Sequence, residues 1–213
     1  MERVRLATIW FGGCSGCHMS FLDLDEFLID VLEKVEIVYS PIVDVKGYPE
    51  NVDICLIEGA VCNEDHVEMA HKIRKRTKIV CSFGDCAVTS NVCGMRNALG
   101  GPEVPLEYAY VDLADTRKGI PCEPGIVPNL LEKAVPLHEV IPVDKFLPGC
   151  PPSAAEIRAL ILNLLGAGEP LSGEQLKFGL GHSFSNPIIH VQANRHRPGD
   201  PDRGSREDQH FSR

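Results

Sequence analysis

The stretch VRLATIWFGGCSGCHMSFLDLDEFL, residues 4–28, decides the fold. Val4 to Ile9 is a short, mostly apolar strand that Gly12 and Gly13 break. Phe21, Leu24, Phe27, Leu28, Val31 and Leu32 then recur on one helical face, so the segment reads strand, loop, helix. Working outward, Val35 to Tyr39 and the more continuously apolar Val52 to Ile57 are further strands, the second ending at Glu58-Gly59. Glu64 to Arg76 reads as a helix, Lys78 to Phe83 as a fourth strand, and Val88 to Leu99 as a weak helix before Gly100-Gly101-Pro102. From Gly101 to about Pro142 the proline content predicts a long loop region. Val143 to Leu147 is the last strand, and Ala154 to Leu165 a helix with Ser153 as N-cap and Gly166 as its stop. Apolar strands alternating with helices predict an α/β fold, a doubly wound parallel sheet of flavodoxin-like order.

A chain of 213 residues buries one core of ordinary size. We place a flavodoxin-like domain at 1–168 and a C-terminal extension at 169–213, the part after about 183 being too polar to order by itself. With 44% hydrophobic and 24% charged residues and mean hydropathy near zero, the composition is globular. No apolar run approaches the ~18 residues of a membrane span. The net charge of -9 would repel a phosphate backbone, which makes nucleic acid a poor partner. MERVRLATIW runs straight into the first strand without signal-peptide features, and nine cysteines then read as reduced thiols of a cytoplasmic protein, some of them on metal.

The chemistry sits in the cysteines. Cys14-Ser15-Gly16-Cys17 lies between the first strand and the first helix, Gly84-Asp85-Cys86 follows the fourth strand, and Gly149-Cys150-Pro151-Pro152 follows the last. The first motif alone fits a thioredoxin-like redox pair, half of a zinc site or a tight turn of small residues. In an open parallel sheet, however, all carboxyl ends lie along one edge, so thiols from three remote segments converge there. Four cysteines suit zinc or an iron–sulfur cluster. The adjacent glycines allow backbone amides to approach and bond cluster sulfides.

The series C-S-G-C at 14 to 17, I-E-G-A at 57 to 60, G-D-C-A at 84 to 87 and P-G-C-P-P at 148 to 152 resembles the motifs of [NiFe]-hydrogenase small subunits, over residues 4 to about 165. That resemblance implies a flavodoxin-like domain in which Cys14, Cys17, Cys86 and Cys150 bind one [4Fe-4S] cluster, proximal to a nickel–iron site in a separate large subunit. No cysteine follows Cys150, so the resemblance implies one such cluster at most. Together with F-L-D-L-D-E-F-L at 21–28, this is similar to the short small subunits of soluble NAD-reducing hydrogenases, whose electrons pass to a flavin and iron–sulfur diaphorase. The related subunit of respiratory NADH:quinone oxidoreductase carries adjacent cysteines at the first motif, which Cys14-x-x-Cys17 does not. Two departures stand out: the family pattern G-x-C-A-x-x-G meets Ser90 or Asn91 where glycine falls, and His18 stands where Thr or Ser is frequent. A small subunit serving another acceptor, or a stand-alone zinc module, is the alternative.

Glu58, at the end of a central strand, either faces the cluster or accepts amide bonds within the Gly59 turn. Cys62, just past that strand, is read as loop packing in preference to a substitute ligand. Cys55 and Cys81 belong to the core, Cys93 and Cys122 are read as incidental, and His18 as simply hydrogen-bonded. The run Lys72, Arg74, Lys75, Arg76, Lys78 reads as a solvated helix end rather than a docking patch. No FMN motif is present, because cluster cysteines occupy the loop where flavodoxins seat phosphate.

Overall fold

A computed structural model describes residues 3–115 and 118–166. Five of its strands are β1 (Val4–Trp10), β2 (Val35–Tyr39), β3 (Val52–Glu58), β5 (Thr77–Phe83) and β7 (Lys145–Leu147). They form one parallel sheet in the order β2-β1-β3-β5-β7. Counted among themselves they run 2-1-3-4-5, the flavodoxin-like order read from the sequence. Successive strand residues bury on opposite faces. Leu6, Ile54, Leu56 and Cys81 pack on one side with Phe21 and Leu24, with Val31, and with Ile157, Leu160 and Ile161. Ala7, Cys55, Ile57 and Val80 pack on the other, against Val67, Ala70 and Ile73. This two-sided burial is why the strands read as continuous apolar runs, and it places Cys55 and Cys81 in the core, both with no exposure.

The helices on the first face are α1 (Gly16–Leu22), α2 (Phe27–Lys34) and α7 (Ala154–Leu164); α3 (Glu64–Arg76) covers the second. The single helix expected after the first motif is therefore two. Asp25 takes a left-handed φ of 48°, and the break leaves Leu32 partly exposed while Leu24 and Val31 stay in the core. Helix α7 begins with a capping box in which Ser153 and Glu156 satisfy each other's backbone amides. Asn63 caps α3 by accepting from the His66 amide at 2.8 Å. Of the basic run, Arg74 bridges to Asp144 at 2.6 Å and Arg76 to Glu50 at 2.8 Å. Lys78 reaches Asp53 at 2.7 Å, so these three side chains tie the domain's own segments together.

The segment from 101 to 142 corrects the expectation of a featureless loop. It contains α6 (Glu103–Glu107), a π-helical turn at Tyr108–Asp112, and β6 (Leu130–Val135). This last strand pairs antiparallel with β4 (Val61–Asn63), making a second, two-stranded sheet beside the first. The weak helix after the fourth strand is likewise divided into α4 (Asp85–Thr89), α5 (Asn91–Gly94) and a 3-10 turn at Met95–Leu99. Among the described residues no helix is long and apolar enough to cross a membrane. The boundary near 168 and the extension 169–213 lie outside the described residues.

Candidate metal centre

Strands β1, β3, β5 and β7 end along one edge, and the loops leaving them are bonded to each other. Phe11 and Gly12 donate to the Glu58 and Ala60 carbonyls at 2.8 and 3.0 Å, and Ala60 returns a bond to Gly12 at 2.7 Å. Gly59, at φ 96°, lets the chains meet, since a Cβ there would lie 2.7 Å from the Gly12 carbonyl oxygen. At the other end, Gly84 donates to Leu147 at 2.8 Å, Asp85 to the Gly149 carbonyl at 2.9 Å, and Gly149 back to the Asp85 carboxylate at 2.7 Å. Ser20 Oγ donates to the Pro152 carbonyl at 2.6 Å, which joins α1 to the loop carrying Cys150. Three remote segments thus become one rigid rim.

On this rim the structure brings Cys14, Cys17, Cys86 and Cys150 together. Cys17 is buried, Cys86 half-buried, and Cys14 and Cys150 exposed. Burial pushes the Cys17 thiol up, and the negative charge of Glu58, Cys86, Cys14 and Cys150 nearby pushes it further. Cys86 is raised to about 11, again by burial first, then by Cys93, Cys14 and Cys150. Four thiols that repel each other's ionisation need a cation to hold them as thiolates together. A single zinc would draw its sulfurs to about 3.8 Å of one another, from Zn–S bonds of ~2.3 Å in a tetrahedron. Among the described residues no three His, Cys, Asp or Glu side chains close around one ion in that way. A donor set of four cysteines fits an iron–sulfur cluster; in the four-iron kind each thiolate serves a different iron. The surroundings fit as well. Asn91 Nδ2 donates to Cys150 Sγ at 3.3 Å, and the place where a Gly84 Cβ would stand lies 2.1 Å from Cys17 Sγ.

Glu58 is 2% exposed. Its two oxygens accept from the Cys17 amide at 3.3 Å and the His18 amide at 2.9 Å, and the second also accepts from His18 Nδ1. The expectation that it braces the Gly59 turn is corrected: the carboxylate holds the first turn of α1, some forty residues earlier in the chain. It therefore sits beside the loop that carries Cys14 and Cys17. His18 stands edge-on to Trp10 and Phe83, and its Nε2 is buried without a partner among the described residues.

Where the family pattern has glycine, Ser90 adopts φ 66° and Asn91 φ 29°. The backbone conformation is kept, with the side chains bearing the strain. Asn91 uses its side chain on Cys150, whereas Ser90 Oγ is buried with no partner among the described residues. Cys93, read as incidental, has electrostatic neighbours: the influence of Cys62 and Cys86 lowers its thiol to about 6, while that of Cys93 together with burial raises Cys62. Cys93 lies on α5, past the left-handed residues Ser90 and Asn91, so no spacing rule pointed to it. Cys122 is exposed.

The sequence profile of the family described as NADH ubiquinone oxidoreductase, 20 Kd subunit, matches residues 14–164. A subunit of the F420-non-reducing hydrogenase of Methanothermobacter marburgensis is 38% identical over 175 residues, which cover 79% of this chain and 55% of that protein. The chain thus spans little more than half the length of such methanogen relatives. The HoxS subunit delta of NAD-reducing hydrogenase from Cupriavidus necator is 38% identical, over 79% of this chain and 81% of that one. Among solved structures, an NAD+-reducing [NiFe]-hydrogenase in its H2-reduced state matches with a TM-score of 0.75 and 36% identity, covering 83% of this chain and 99% of the other.

Proposed function

The chain belongs to the family of the 20 Kd subunit of NADH ubiquinone oxidoreductase, and from that membership we propose that it is the electron-transfer subunit of a soluble, cytoplasmic, NAD-reducing [NiFe] hydrogenase. Cys14, Cys17, Cys86 and Cys150 hold a [4Fe-4S] cluster, proximal to the nickel–iron site of a large subunit. The chain relays electrons between that subunit and a flavin and iron–sulfur diaphorase. The observation that carries this reading is the convergence of four mutually repelling thiols from three strand ends on one hydrogen-bonded rim.

Bound there, a [4Fe-4S] cluster supplies one-electron storage. The chain's own residues hold and insulate it. Loading removes the Cys17 proton, and the Glu58 carboxylate fixes the turn of α1 that presents the sulfur. Asn91 places a donor on Cys150, the kind of bond that tunes a cluster's potential. Beside the rim, Trp10, Met19 and Leu22 are 40%, 60% and 43% exposed, an apolar collar suited to a large subunit.

Replacing Cys14, Cys17, Cys86 or Cys150 singly with Ala removes or degrades the cluster, whereas Ala at Cys55 or Cys122 leaves iron and acid-labile sulfide intact. Wild-type iron in two or more of the first four variants sinks the assignment. Absorption near ~400 nm distinguishes iron–thiolate from zinc, which is silent.

The methanogen relatives, named F420-non-reducing hydrogenases, favour a second reading in which the same cluster serves another acceptor. Affinity purification from the native host separates the two. A flavin-containing diaphorase and H2-dependent NAD+ reduction support the first, and a nickel subunit without either supports the second.

A further inference from the structure

Four successive elements stand outside the core. Neither α5, the 3-10 turn at Met95–Leu99, α6 nor the π-helical turn at Tyr108–Asp112 contributes a buried residue. Their large apolar side chains face outward: Val92, Met95, Leu99 and Tyr108 are each more than half exposed, Met95 by 73%. Helices this short are not stable alone in water, and an apolar surface sustained over 91–113 marks an interaction site.

The place of that surface is fixed. Asn91, the first residue of α5, donates to Cys150 Sγ at 3.3 Å, so the surface begins at the rim. Asn97 then exchanges two bonds of 2.8 Å with the Ala134 backbone, and Arg96 donates to the Leu131 carbonyl at 2.8 Å, which seats the segment on β6. Through Leu131 and Val135, β6 packs with the layer of Val67, Ala70 and Ile73, whereas Cys17 and Phe21 of α1 belong to the opposite layer. The collar of Trp10, Met19 and Leu22 and the 91–113 surface therefore flank the four cysteines from opposite faces of the main sheet. An exposed cysteine adjoins each: Cys14 just before α1, and Cys150 at Asn91. Between 91 and 115 the charged residues are Arg96, Glu103, Glu107, Asp112 and Asp115. Arg96 is spent on the carbonyls of Cys62, Leu131 and Glu132, while the four acids are exposed, so the apolar surface has an acidic border.

We propose that the 91–113 surface docks the iron–sulfur subunit of the diaphorase, through an apolar face of that subunit bordered by lysine and arginine. This rests on the electron-relay reading, which gives the chain two partners at one site. The nickel subunit takes the collar on one face of the sheet and leaves the other face, with its own exposed cysteine, to the second partner. Charge complementarity sets the chemistry of that partner, since a basic border meets the acidic one and steers the encounter. A second copy of this chain is the wrong occupant, because a two-fold contact would set two acidic borders against each other.

The test uses the complete complex, purified without air, with the photo-crosslinker p-benzoylphenylalanine placed at Tyr108 and, for comparison, at Met19. Irradiation is expected to link position 108 to the iron–sulfur subunit of the diaphorase and position 19 to the nickel subunit. A link from position 108 to the nickel subunit, to a second copy of this chain or to nothing, in a complex that does contain the diaphorase, overturns the docking and leaves the relay reading standing. A complex without a diaphorase overturns both. A double variant, Met95→Asp with Tyr108→Asp, separates docking from folding. It is expected to keep wild-type iron and H2-dependent reduction of benzyl viologen within about twofold, while H2-dependent NAD+ reduction falls about tenfold or more. Unchanged NAD+ reduction, or equal loss of both activities with wild-type iron, refutes the proposal.

Discussion

Gly84→Ala is the sharpest probe of the rim. Gly84 has φ 83° and ψ 163°, a backbone conformation essentially confined to glycine, and forcing alanine into it costs about 1–3 kcal/mol. The new methyl carbon would lie 2.1 Å from Cys17 Sγ, against the ~3.5–4.0 Å of an ordinary contact, and overpacking of that kind costs about 1–3 kcal/mol more. The sum, about 2–6 kcal/mol, is a large part of a domain's whole stability of ~5–15 kcal/mol. Relief by rotating Cys17 is closed to a working site, because turning the sulfur away takes it off the rim. The variant is therefore expected to lose iron and to melt at least about 4 °C lower, at ~2–4 °C per kcal/mol for a chain of this size. Gly47→Ala is the control, with nothing within 4 Å of the added methyl. Iron, acid-labile sulfide and melting temperature are measured on both. A Gly84→Ala protein with wild-type iron and an unchanged melting temperature refutes the packing argument and weakens the placement of Cys17.

Three further outcomes are expected. Glu58→Gln must turn its amide group toward one of the two α1 amides, losing a charge-assisted bond worth about 1.5–3 kcal/mol; a melting temperature within 1 °C of wild type, on the order of measurement error, would return Glu58 to a minor role. Ser90→Gly removes a left-handed non-glycine residue and an unpartnered buried hydroxyl, so it should stabilise by about 1 kcal/mol, and a lower denaturation midpoint would contradict this. Burial lowers the pKa of His66, whose ring stacks on Phe11 at 4.7 Å. The unfolded chain then binds the proton more readily, so this residue's contribution to stability is intact above the free imidazole value of ~6.5 and is lost as pH falls below it. An NMR titration of the His66 ring with a midpoint at or above ~6.5 would reverse that sign.

The main sheet was legible because its strands are buried on both faces. Val52 to Ile57 and Lys78 to Phe83 carry apolar runs that only a covered parallel sheet explains. That Cys14, Cys17, Cys86 and Cys150 meet was legible because strand ends share an edge, which turns distant motifs into neighbours without any knowledge of loop paths. What escaped depends on side-chain reach or on pairing between remote segments. The β4–β6 sheet joins Val61 to Val135, and three residues of strand give no periodicity to detect. Leu24 and Phe27 continue the helical pattern across a break made by backbone at Asp25, which aspartate tolerates well enough to leave no mark in the sequence. The Glu58 carboxylate was located at the right edge, but its partners lie on another segment. Cys93 follows the left-handed turn at Ser90, at a position where the family pattern itself has glycine, and its electrostatic coupling to Cys62 and Cys86 leaves no spacing signal.

The rim is assembled from residues 14–17, 86 and 150, with β7, the last strand of the main sheet in sequence, at its edge beside β5. Its fourth sulfur can arrive only after a loop of some sixty positions, from Phe83 to Lys145, has been closed, one of the slow non-local steps of folding. A nascent chain emerging in order offers the first three thiols long before the fourth. If the four cysteines hold one cluster as proposed, it can be completed only on the finished topology, so iron loading would act as a late checkpoint on folding, and chains stalled before β7 docks would remain colourless.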